Sequence, residues 1–277
     1  GVHPPLLGQV VMVALESSAR DPERLGEAVQ LLEALVADQV TPAATLEPPA
    51  GLVQQDHGPQ SAEAPVGSAS VEGELRAWWR ADAGGGTDAT LERLLARHRE
   101  PHRHYHGVAH VRAVVGRCRT LLATVTVPDP GAVCLAAWYH DAVYDPRAEP
   151  GANEAASARL AVADLCALGL PIERCVEVAR LVGLTAGHAV QDGDDAGAVL
   201  VDADLAVLGA EPGVYAAYVA GVRAEHAHVD DAAWRTGRAA VLRRLLALDP
   251  LFRTPPMQSA VPRARANLTA ELASLAA

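Results

Sequence analysis

The sequence predicts an all-α fold, and three observations carry that expectation. From about Val71 onward, apolar residues recur at three- and four-residue spacing, strand-like alternation is absent, and the breaks carry Gly, Pro or Asp. Before that point, "DPERLGEAVQLLEALVA" predicts a single helix, with Asp21 as N-cap and Pro22 at the first helical position. One helix cannot bury a core alone, so residues 1–40 read as a short, partly disordered N-terminal extension that either docks on the main domain or is disordered, docking through the apolar side of 25–36 being the preferred reading. Residues 41–70 are rich in Pro, Gly, Ala and Ser without periodicity and read as a flexible linker. The helical domain is then 71–277. Its helices are expected in "VEGELRAWWRAD" (71–82), "TLERLLARH" (90–98), 104–125 and 131–141, followed by 153–168, 172–187, 197–208, 212–227, 230–247 and 263–275.

Composition removes several classes of function. A net charge of −11 argues against a nucleic-acid or anionic-membrane surface, because either needs a basic patch. The chain has 23 basic side chains and every one is Arg. Without Lys there is no Schiff-base nucleophile, no P-loop Lys and no Ser-Lys dyad. Cys118, Cys134, Cys166 and Cys175 lie singly in apolar helical stretches and read as reduced core residues. "LLGQVVMVAL" lacks the basic flank and cleavage site of a signal peptide, and no apolar run approaches membrane-spanning length. The expectation is a soluble, cytoplasmic protein.

What remains for chemistry is His, carboxylate, Arg and metal. In "RHYHGVAH" (103–110), His106 and His110 are four apart, which on a helix puts both imidazoles on one face. Val111, Val115 and Cys118 form an adjacent apolar stripe, so His110 borders the core. In "LAAWYHDAVYD" (135–145), the adjacent pair His140 and Asp141 ends an apolar run, where an ionised carboxylate needs a partner. In "AVLVDADLAVLGA" (198–210), Asp202 and Asp204 sit in apolar surroundings, where either could cap a helix or hold a cation. Taken singly, each has an ordinary structural reading. Together they place three out-of-place ionisable groups in the order His, His-Asp, Asp.

That order resembles the HD superfamily of metal-dependent phosphohydrolases. "YHGVAH" has the Tyr-His-x-x-x-His spacing of its cyclic-nucleotide phosphodiesterase branch, "ADL" (203–205) is similar to that branch's last metal-binding segment, and the stretch from "AWWR" to "ARANLTAEL" resembles a bacterial group of HD-domain phosphohydrolases. The phosphodiesterase branch has another His soon after its His-Asp, where this chain reads "HDAVYD". The resemblance covers about residues 72–277 and implies an HD-domain helical bundle. It implies metal ligands His110, His140, Asp141 and Asp204, with Asp202 competing for the last place. It further implies His106 as the proton donor, with Asp141 or Asp204 as the group able to take a proton from the attacking water. Glu154 and His188 are candidates for a second metal or for orienting that water; Arg103, beside the site, is the candidate for phosphate oxygens. The cofactor would be one or two divalent ions, Mn, Fe, Ni, Co, Zn or Mg. The implied reaction is attack of metal-activated water on a phosphoester of a small phosphorylated compound, a nucleotide among the candidates. A non-catalytic ligand-binding module and a di-iron oxygenase are the alternatives.

Overall fold

The computed structural model describes residues 68–276, with side chains from 71 onward. The N-terminal extension and nearly all of the linker lie outside the described residues, although helix begins at Ser68, three positions inside the expected linker. The chain divides into two units at Trp78/Trp79, and the account below concerns the second, Trp79–Ala277.

Ten α-helices and two 3-10 turns make up the described residues, among which there is no strand, so the fold is all-α. They are α1 (Ser68–Ala83), α2 (Asp88–His98), α3 (Val108–Leu122), α4 (Pro130–Tyr139), α5 (Ala152–Ala167), α6 (Ile172–Leu184), α7 (Asp195–Asp204), α8 (Pro212–Glu225), α9 (Asp231–Leu246) and α10 (Val261–Leu275). No single helix among them is long and apolar enough to cross a membrane.

Local chemistry accounts for several starts. Asp129, Asp194 and Asp230 each accept a hydrogen bond from a first-turn backbone N–H of α4, α7 and α9, which satisfies a donor the helix leaves orphaned. Pro130 and Pro212 open α4 and α8, where a missing N–H costs nothing.

The core is organised around α4. Every residue from Ala132 to Tyr139 is buried, the mark of a helix apolar on all sides and packed on all sides. It packs against α3, α5, α6 and α7, and α3 also packs along α7. Trp79 and Trp138 meet edge-to-face at 5.6 Å, and both indole N–H groups are satisfied, by Thr87 and Asp82. A C-terminal pair, α9 and α10, is joined through the buried ion pair Arg238–Glu271 at 2.7 Å. The N-terminus of α3 and the C-termini of α4 and α7 carry the His and Asp motifs. Two negative helix-dipole ends therefore meet there, a disposition that favours a cation.

The helix expected over 104–125 begins four residues later. Glu225 takes the backbone N–H groups of Tyr105 and His106, at 2.7 and 2.9 Å, and Gly107 N–H closes a tight turn on Tyr105 O. The chain through 103–107 is thus committed to other bonds than a helical ladder. His106 consequently lies ahead of α3, and the same-helix relation expected between His106 and His110 does not hold.

Candidate metal centre

His110 is buried in the first turn of α3; His140 caps the C-terminus of α4; Asp204 is the last residue of α7. Their ligand atoms converge as a group able to hold a metal ion. His110 Nε2 lies 3.0 Å from His140 Nε2 and 3.3 Å from Asp204 Oδ1, and His140 Nε2 lies 3.6 Å from that same oxygen. Asp141 joins the edge of the group, its Oδ2 at 3.3 Å from His110 Nε2 and 3.1 Å from His140 Nε2. His140 Nδ1 is 2.9 Å from Ala137 O. A carbonyl can only accept, so Nδ1 carries a proton and Nε2 is the atom turned to the cluster.

The second oxygen of Asp204 is held from outside, by His188 Nε2 at 3.1 Å. His188 follows α6 with φ +54, a left-handed conformation costly for a side chain of this kind, and that turn delivers its ring to Asp204. Asp141 is fixed through its backbone. Arg103 donates from Nη1 to Asp141 O at 2.6 Å and from Nη2 to Ala142 O at 3.2 Å, while Val143 N–H bonds Ser157 Oγ.

Electrostatics tie the group together. Burial disfavours a charged imidazole at His110 and His140, but the neighbouring carboxylates Asp141 and Asp204 outweigh it and raise both. Burial would also lift Asp141 and Asp204; the facing histidines prevail and hold both carboxyls well below their usual range. Protons on the imidazoles and a divalent cation are alternative ways of satisfying the same two carboxylates.

Known families, curated proteins and solved structures give no match to this chain. What the centre can hold is therefore decided by its donors. Ligand bonds of about 2.0–2.2 Å at tetrahedral or octahedral angles require donor atoms roughly 2.8–3.6 Å apart. All five separations between the imidazole nitrogens and their neighbours fall in that interval. Two neutral nitrogens and two carboxylates suit several divalent ions alike and leave the identity of the metal open.

His106 stands beside the group, its ring 5.5 Å from that of His110 and 4.4 Å from that of Tyr144. Its Nδ1 meets Glu225 Oε2 at 2.7 Å, which leaves Nε2 outside that bond. Glu225 is buried and holds four groups: Tyr105 N–H, His106 N–H, His106 Nδ1 and Tyr144 OH. Burial would raise its carboxyl, but the contact with His106 and the two backbone N–H bonds bring it down to about 2. Gly221, one turn earlier on α8, permits this: a Cβ there would lie 3.0 Å from Tyr105 Cβ and 3.2 Å from His104 O.

Three sequence expectations are corrected or left outside the centre. Asp202 is fully buried and accepts from Arg253 N–H, Thr254 N–H and Thr254 OH at 2.7–3.0 Å, so it anchors the segment before α10 and is not turned to the cluster. Arg103 cannot serve phosphate, because its guanidinium is buried on Glu100, His106 O, Asp141 O and Ala142 O. Glu154, in the first turn of α5, forms no hydrogen bond or ion pair with the centre.

Glu225 was not legible as a site residue, being 119 positions from His106 and in no motif. One signal was available: a carboxylate in the last turn of a helix opposes the dipole and needs a compensating partner. His98 was also missed. It is buried near Arg103 and Asp141, and burial lowers it to about 3.

Proposed function

We propose that this chain is a metal-dependent phosphohydrolase or phosphodiesterase of the HD type, acting on a small phosphorylated compound, with nucleotides among the candidates. The observation that carries the reading is the convergence of His110, His140 and Asp204, edged by Asp141, with an oriented imidazole alongside. A divalent ion at such a centre supplies Lewis acidity, lowering the pKa of water and drawing charge from a phosphoryl oxygen.

The side chains divide the remaining work. Asp141 faces the cluster through Oδ2 and, among the described residues, makes no hydrogen bond through Oδ1, which leaves that oxygen to accept a proton from the attacking water. His106 delivers a proton from Nε2 to the departing oxygen, its ring fixed by the Nδ1–Glu225 bond. His188 steadies Asp204 through the oxygen turned away from the imidazoles.

The test is hydrolysis of 4-nitrophenyl phosphate and bis(4-nitrophenyl) phosphate by protein supplied in turn with Mn, Fe, Ni, Co, Zn and Mg. Turnover with at least one ion, abolished in His140→Ala and reduced about 100-fold or more in His106→Asn, is the expected result. Loaded protein inert toward both esters and toward nucleoside mono- and diphosphates would overturn the reading in favour of a binding module.

A further inference from the structure

Behind Tyr144 and Glu225 lies a cleft of about 610 Å³ that the proposed chemistry does not use. Arg97, from the last turn of α2, and Arg147, from the turn after α4, line it. Arg97 is partly buried and Arg147 is exposed, and among the described residues neither guanidinium has a hydrogen-bond or ion-pair partner. At Arg97 a guanidinium half out of water and without such a partner is poorly compensated, and a bidentate anion would compensate it.

The acids of the same cleft are already engaged. Glu100 accepts from Arg103 Nε at 3.0 Å, Asp145 accepts Arg147 N–H at 2.9 Å, and Glu225 spends both oxygens on the four donors around His106. Two arginines with free donors therefore face a cleft in which Glu100 and Glu225 are engaged by side chains and Asp145, exposed, is the one carboxylate bonded only to a backbone N–H. Its volume suits a small organic molecule. On the side of His106 the cleft is walled by Tyr144, whose ring lies 4.4 Å from that of His106 and nearly parallel to that of His102 at 6.3 Å, and whose OH donates to Glu225.

We infer that this cleft is an anion subsite in which Arg97 and Arg147 take a phosphate group of a small ligand. The natural owner of that phosphate is the substrate itself, which makes the preferred substrate one with two phosphates. That assignment rests on the proposed phosphohydrolase reading, whereas the anion site does not.

The experiment separates the two. Chelator-treated full-length chain is titrated with inorganic pyrophosphate by calorimetry, so the outcome is independent of any metal. One-to-one binding is expected, weakened about tenfold or more in Arg97→Ala/Arg147→Ala. Arg117→Ala, at an exposed arginine on α3 without a partner among the described residues, matches the charge change per residue and should leave binding unaltered. Neither cleft guanidinium has a partner among the described residues, so the double variant should keep the wild-type melting temperature. Absent binding, or equal affinity in wild type and double variant, overturns the proposal. A second arm uses metal-loaded enzyme. A higher KM for a nucleoside diphosphate but not for 4-nitrophenyl phosphate places the group in the substrate; unchanged KM for both, with pyrophosphate binding still lost, assigns it to a separate effector.

Discussion

Replacing Glu225 tests how the loop before α3 is held. Glu225→Ala strips acceptors from two backbone N–H groups, His106 Nδ1 and Tyr144 OH, all gathered on one buried carboxylate. Hydrogen bonds to a charged group contribute about 1.5–3 kcal/mol each when removed singly, but one carboxylate serving four donors is far from additive. Linkage provides a separate magnitude. A carboxyl lowered from 4.5 to about 2 corresponds to about 3 kcal/mol at neutral pH. The sign follows from the lowered pKa: the contribution is complete above pH 4.5 and is lost as pH falls toward 2. Denaturant unfolding at pH 7 and pH 3 should show Glu225→Ala destabilised by about 3–5 kcal/mol at pH 7 and by clearly less at pH 3. Glu225→Gln should fall between wild type and Ala. Equal destabilisation at both pH values would refute the assignment of Glu225 as an ionised acceptor.

Three further outcomes follow from the same geometry. His98, lowered from 6.5 to about 3, takes up a proton on unfolding, so its neutral burial favours folding above pH 6.5 and loses that advantage as pH falls toward 3. His98→Leu should gain about 2 kcal/mol relative to wild type between pH 7 and pH 5, read as a flatter dependence of the denaturant midpoint on pH. Asp202→Asn should lower stability by about 1–2 kcal/mol and leave metal content unchanged, whereas Asp204→Asn should lose the metal; the reverse would exchange their roles. Arg103→Met frees the carbonyls of Asp141 and Ala142, and should weaken metal binding about tenfold or more without abolishing it, measured by competition with a chelator.

The helices were legible because their cause is local. Asp129 followed by Pro130, and Asp230 ahead of α9, declare helix starts in the sequence, and the unbroken apolar run 132–139 declares a central helix. His110, His140 and Asp204 stood out because ionisable groups in apolar segments demand compensation. The shape of "RHYHGVAH" was not legible, because what diverts its backbone is Glu225, more than a hundred residues away. Arg103 shows the same limit. Its position beside the histidines suggested phosphate, but carbonyls at the end of α4 claim its donors, and only the packing of α3 against α4 brings them there. Asp202 and Asp204, two residues apart, were separated by the direction in which each points.

Elemental analysis of tag-free protein purified without chelator, comparing wild type with His140→Ala and Asp204→Asn, addresses the central claim most directly. The account predicts about one divalent ion per chain in wild type and none in either variant, with all three folded. Folded wild-type protein that carries no metal and takes up none of Mn, Fe, Ni, Co, Zn or Mg would contradict it.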